Sequence, residues 1–124
     1  MLKGLRKSRW DDLILPDQLR SWLRDGFVRK YDCVFLNELL KFFSGNNDFV
    51  DKTGLECFVN SFHIDDYVEE RFLDYACLFC NTILQKWEME GGDEILNVIV
   101  SMDDFGAVVR FHIKRSGESW LSSD

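Results

Sequence analysis

The sequence has no apolar run approaching the roughly 18 residues that a membrane-spanning helix needs, which argues against a bilayer span. Lys3, Arg6, Lys7 and Arg9 lie near the start with no apolar segment behind them, so no secretory signal is expected. Cysteine is sparse. Cys33, Cys57, Cys77 and Cys80 are too few for a secreted disulfide scaffold of this length, and they sit among apolar neighbours, where free cysteine behaves as a small buried hydrophobe. Together these shortages point to a cytoplasmic protein.

Motifs of catalysis are missing as well. The two histidines, His63 and His112, have no HExxH or related spacing. No Walker lysine follows Gly91-Gly92, and Rossmann, Gly-x-Ser-x-Gly and EF-hand patterns are absent. The expectation is therefore a protein that is not an enzyme, with no cofactor and no metal. Internal repeats, low-complexity tracts and linkers are also lacking.

What is present is apolar and aromatic. Of 124 residues 46% are hydrophobic, with 11 Phe and 4 Trp, which excludes a disordered chain and fits one domain over residues 1–124. Residues 65–89 read as one long amphipathic helix. Asp66 and Glu69 have capping-box spacing. Val68, Phe72, Leu73, Tyr75, Ala76, Phe79, Cys80, Ile83, Leu84 and Trp87 share one half of the helix, and Gly91-Gly92 would end it through a left-handed glycine. A β-hairpin follows over Ile95–Ile113. Period-2 alternation in 95–102 and 108–114 is broken by Asp103-Asp104-Phe105-Gly106, and Leu96, Val98, Val100, Val109, Phe111 and Ile113 are expected to face the helix. A turn at Ser116-Gly117 would lead to a short strand around Trp120. The fold class is α+β: helices packed on a small antiparallel sheet built around this C-terminal hairpin.

Upstream the signals are shorter. Trp10–Leu15 suggests a brief strand. Pro16 suits the first turn of a helix with Leu19, Trp22 and Leu23 inward, ending at Asp25-Gly26. A second helix is expected over about Cys33–Phe43, with Phe35, Leu36, Leu39, Leu40 and Phe43 inward, closed by the turn formers Ser44–Asp48. Residues 53–64 fit helix or strand. Thr53 with Glu56 at capping-box spacing, and Leu55, Phe58, Val59 and Phe62 at helical spacing, favour a short helix.

The charged and sulfur-bearing residues allow bland and sharp readings. Cys77-x-x-Cys80 falls in mid-helix rather than at a helix N-terminus, so packing is favoured over redox work. His112 alternates onto the outward face of its strand, beside Arg110 and Lys114, as a surface histidine would. The net charge of −7 is uneven: residues 1–31 carry +4 and residues 32–124 carry −11. An acidic body repels nucleic acid and attracts a basic partner, although solubility alone would also explain it. Asp65, Asp66, Glu69 and Glu70 cluster at one helix end, with Asp74 and Glu88 further along its polar face, and Glu90, Asp93, Glu94, Asp103 and Asp104 add charge near the hairpin ends. They form either a solvated face or a partner-binding surface, with Trp10 or Trp120 as aromatic anchors.

The stretch Leu96–Leu121, with Val98-Ile99-Val100-Ser101-Met102-Asp103-Asp104-Phe105-Gly106 and Arg110-Phe111-His112-Ile113-Lys114-Arg115, resembles the immunity proteins of bacterial contact-dependent inhibition and polymorphic toxin systems. That resemblance covers about a quarter of the chain and transfers no residue role. It implies a cytosolic protein that binds one cognate toxin, often a basic nuclease, one to one, and blocks it. A regulatory module for another cytosolic protein and a small enzyme using His63 or His112 are the alternatives.

Overall fold

The computed structural model describes residues 13–30, 32–43, 51–90 and 92–115. Its elements are, in order, α1 (Asp17–Asp25), β1 (Phe27–Lys30), β2 (Cys33–Leu36), the one-turn α2 (Asn37–Leu40), α3 (Lys52–Val59), β3 (Ser61–His63), a 3-10 turn (Ile64–Asp66), α4 (Phe72–Met89), β4 (Leu96–Met102) and β5 (Ala107–Ile113). The class is α+β, as expected. β1 and β2 form an antiparallel ribbon, and β3-β5-β4 form an antiparallel sheet with β5 in the middle. A common core of buried residues joins both sheets to the helices, with Phe35, Phe79, Phe111 and Ile83 among its fully enclosed members. Each such side chain contributes on the order of 1.5–3 kcal/mol by leaving water.

The C-terminal hairpin has the anticipated form. Its register pairs Leu96 with Ile113 and Met102 with Ala107, and the turn is closed by the Asp103 N–H donating to Gly106 O at 3.0 Å. Leu96, Val109, Phe111 and Ile113 are buried, whereas Met102, on the same side of its strand, is 53% exposed. His112 departs from the expectation of a surface residue. Because β5 is the middle strand and is buried on both faces, the imidazole is only 5% exposed, its Nδ1 2.9 Å from Ile113 O.

Helix α4 starts at Phe72, six residues later than the Asp66 start that the capping box suggested. The Asp66-Glu69 spacing caps nothing. Ile64 is drawn fully into the core, the 3-10 turn follows, and Arg71 at φ +56° breaks the path between turn and helix. Along α4, Ala76, Phe79, Cys80, Ile83 and Trp87 are buried as expected, but Leu73 is 42% exposed. Gly91 lies outside the described residues. Gly92 is not left-handed; it is required because a Cβ there would collide with the Trp87 indole.

The N-terminal half contains the largest correction. Cys33–Leu36 is a strand rather than the start of a helix, and only Asn37–Leu40 turns helically. All four residues of β2 are buried, and a short continuous apolar run is compatible with a strand enclosed on both faces. Asp32, at φ +60°, lets the chain double back so that Lys30 pairs with Cys33 and Phe27 with Leu36. Helix α1 matches its reading. Leu19, Trp22 and Leu23 are buried, and Gly26 at φ +79° stops the helix with its N–H on Trp22 O. Leu13–Leu15 form no strand, and residues 10–12 lie outside the described part, as do 44–50 and the proposed strand around Trp120.

Residues 53–64 turn out to hold both elements in succession, α3 and then β3. The N-cap of α3 is Asp51, whose Oδ1 accepts the Gly54 N–H at 2.7 Å, so Thr53 caps nothing. Glu56 instead turns fully inward. Its carboxylate accepts the N–H groups of Val34 (2.6 Å) and Ile113 (2.9 Å), while one turn later Asn60 Oδ1 accepts from Leu36 N (3.1 Å) and Asn60 Nδ2 donates to Val34 O (2.8 Å). Glu56 of α3 and Asn60, its C-cap, thus fill the gap between β2 and β5, where no described strand lies, and satisfy backbone groups of both.

Candidate functional site

Where β3 runs into the 3-10 turn, the chain sends two consecutive carboxylates to different neighbours. Asp65 Oδ1 accepts the N–H of Ala107 at 3.2 Å and rests against Gly106, a position where a Cβ would collide with it. It pins the hairpin turn to the sheet. Asp66 is exposed and lies on the lip of an aromatic cleft of about 340 Å³.

The cleft is assembled from four pieces of the chain. Trp22 of α1, Phe42 and Phe43 beyond α2, Phe58 of α3, and Phe62, His63 and Tyr67 from β3 and the residues after it line it. Its inner rings lock edge to face: Trp22 with Phe62 at 5.1 Å between centroids, Trp22 with Tyr67 at 5.2 Å, and Phe62 with Phe79 at 4.8 Å. Such pairs add about 0.5–1.5 kcal/mol beyond area burial, so the floor is rigid. At the rim Phe42 and Phe58 are 79% and 59% exposed. Burial, and then the neighbouring Asp66 carboxylate, push the Tyr67 phenol up. An apolar floor with one carboxylate at its lip can bury an apolar or aromatic side chain and pair a cation beside it.

The other candidate residues fall into three groups. Asp103 and Asp104 share the hairpin turn that Asp65 clamps, so these three carboxylates are brought together at one end of the sheet. Asp103 is committed to the turn itself, Oδ1 accepting the N–H groups of Phe105 (2.7 Å) and Gly106 (2.9 Å). Glu69 and Glu70 are exposed in the loop before α4, and Asp74 in the first turn of α4 is bound by Arg71 Nε at 3.2 Å. Trp120 and Trp10 lie outside the described residues. The exposed cleft residues Phe42 and Phe58 were not among the candidates. Their only sequence signal is large apolar residues placed beside loop formers and between inward positions.

Three of the four cysteines are packed in the interior. Burial pushes the Cys57 and Cys80 thiols up to about 12 and that of Cys33 up to about 11, so all three stay protonated at neutral pH. Cys80 is on the core side of α4 and Cys77 at its boundary, as the helical projection placed them. His63 is exposed, with Nδ1 3.7 Å from Asp65 Oδ1. Among the described residues no group of three or more His, Cys, Asp and Glu could hold a metal ion.

Fold and cleft together define a small α+β protein with a rigid aromatic recess under an acidic lip. The chain belongs to the Uncharacterized protein PM0498 family, whose model matches residues 1–124. It is similar to the Uncharacterized protein PM0498 of Pasteurella multocida (strain Pm70), at 37% identity over 78 residues. That match takes in 60% of this chain and 49% of the relative, so the chain spans about half the length of the curated relative it matches. No solved structure matches.

Proposed function

We propose that this protein binds a basic protein and neutralises it, in the manner of an immunity protein that blocks one cognate toxin in the cytoplasm. The observation that carries the reading is the position of Asp66 on the lip of the aromatic cleft, in a body that carries −11 over residues 32–124. A cationic partner is steered by the overall field, then held by an apolar side chain in the cleft and a Lys or Arg at the carboxylate. Asp104 and the exposed Glu69 and Glu70 extend the acidic surface that such a partner would meet. Among the described residues no helix is long and apolar enough to cross a membrane, which is compatible with a cytoplasmic site of action. The acidic body disfavours direct contact with nucleic acid.

The test is capture of the tagged chain from its source cells, beside the variants Asp66→Lys and Phe58→Ser. One stoichiometric basic partner, lost with either variant and toxic when expressed without this chain, is the expected result. A partner that is harmless alone would reject the immunity role and leave a regulatory interaction module. A partner retained by both variants would remove the cleft from the interface.

A further inference from the structure

The outer edge of β4, which no described strand pairs, offers a second surface, independent of the cleft. In β5 the N–H groups of Phe111 and Ile113 go to Asn60 O and to Glu56 Oε1, so the odd-numbered residues there point away from β4. The even-numbered residues Val108, Arg110 and His112 therefore bond to their register partners Ser101, Ile99 and Asn97. Bonds from Lys114 N to Ile95 O (2.8 Å) and from Asp103 N to Gly106 O (3.0 Å) continue the same alternation at both ends. By that alternation the backbone groups of Val98, Val100 and Met102, like those of the buried Leu96, point away from β5, along an edge that no described strand pairs.

Among the described residues this edge lacks the features that normally protect one. Seven residues long, it contains no Lys, no other charge and no proline. Its sequence, Leu-Asn-Val-Ile-Val-Ser-Met, is also chemically palindromic about Ile99. Under a twofold axis at Ile99 an antiparallel copy sets Val98 against Val100, Leu96 against Met102 and Asn97 against Ser101. Residues with outward backbone groups then face each other, as a hydrogen-bonded ladder requires. An isologous contact needs this kind of self-complementarity.

Charge agrees with the same occupant. The chain carries −7, so acidic surfaces of two copies repel, but the seven paired positions are neutral. At the ends Asp103 of one copy falls beside Ile95 of the other, with Lys114 one strand further in. Glu94, which would face Asp104 of the second copy, is already neutralised by Arg29 in a bidentate pair at 2.8 and 3.0 Å.

We propose that two copies of this chain associate through β4, joining their sheets as β3-β5-β4-β4-β5-β3. The interface is a narrow one, at the weak end of specific contacts. Sedimentation of the full chain should show its average mass rising from 14.6 kDa toward twice that value as concentration rises to about 0.5 mM, a range that populates weak dimers. Val100→Pro removes an outward N–H without touching the bonds to β5 and should hold the chain at the monomer mass. Asn97→Lys/Ser101→Lys opposes lysines in the dimer and should do the same, as should Asn97→Glu/Ser101→Glu. An equimolar mixture of these two double variants should pair again, which fixes the register as well as the strand. A wild-type mass that stays at the monomer value throughout would overturn the proposal. So would a dimer indifferent to Val100→Pro, or a mixture that fails to restore association.

Discussion

The carboxylate of Glu56 is fully buried and meets the guanidinium of Arg115 in a bidentate pair, Oε1 to Nη1 at 2.6 Å and Oε2 to Nη2 at 2.9 Å. Arg115 also reaches Asp32 O (3.3 Å) and Ile113 O (3.2 Å), so one pair ties α3, the β1–β2 turn and the end of β5 together. Breaking a buried pair by removing one member costs about 3–5 kcal/mol, because the remaining charge is stranded. Arg115→Ala should therefore lower the urea midpoint sharply. Glu56→Leu should do so as well, since the Val34 and Ile113 amides lose their acceptor. A double substitution should cost less than the two single losses added, by about 1–3 kcal/mol of coupling. Strict additivity would show that the two groups do not work as a unit.

Gly106 and Asp65 make a second coupled pair. Gly106→Ala would drive a methyl into the Asp65 carboxyl and break its bond to Ala107 N, at a cost of about 1–3 kcal/mol. Asp65→Ala should destabilise through the same unsatisfied N–H, whereas Asp65→Asn keeps an acceptor oxygen and should stay near wild type. Thermal unfolding of the three variants checks this order. If Asn behaves like Ala, charge rather than the hydrogen bond is the stabilising element.

These two pairs also explain what could be read from the sequence and what could not. The β4–β5 hairpin was legible because both strands alternate with period 2 on either side of turn-forming acids, and α1 because Pro16 and Gly26 mark its ends. The β1–β2 ribbon was not. β2 is apolar at every position, so it carries no alternation, and its outer amides are satisfied by Glu56 and Asn60, which lie 22 and 24 residues away. Likewise Asp66 and Glu69 offered a local helix start, but Asp65 is held by a residue 42 positions distant and the helix waits until Phe72. The cleft was illegible for a related reason. Phe42, Phe58 and Tyr67 belong to separate segments, and only the finished fold sets them around one recess.

The thiols give a pH prediction. Unfolded cysteine titrates near 8.5–9, whereas burial holds Cys57 and Cys80 at about 12 and Cys33 at about 11. The folded state therefore keeps its protons when the unfolded state begins to lose them. The stabilisation is complete below the unfolded value and is lost as pH rises from about 9 through the folded values. Between pH 9 and 10 each thiol should contribute a decline of up to ~1.4 kcal/mol per pH unit. Urea titrations at pH 8, 9 and 10 should show that fall, and Cys57→Ala should make it shallower. A thiol-reactive probe at pH 8 should label half-buried Cys77 well ahead of the other three.

Phe42 and Asp66 separate the two parts of the proposed recognition. Both are exposed, so Phe42→Ala and Asp66→Lys should each change stability by no more than about 0.5 kcal/mol. Their effects on binding the captured partner should differ in kind. Truncating an aromatic anchor in a desolvated recess typically costs about 2 kcal/mol, roughly 30-fold in affinity, expressed mainly as faster dissociation and insensitive to salt. Reversing the lip charge acts through steering. Asp66→Lys should slow association, and the deficit should shrink as ionic strength rises, because screening removes a field that no longer helps. Surface plasmon resonance at low and high salt measures both rates. If Phe42→Ala leaves dissociation unchanged while Asp66→Lys still slows association, the partner meets the acidic lip but does not enter the cleft.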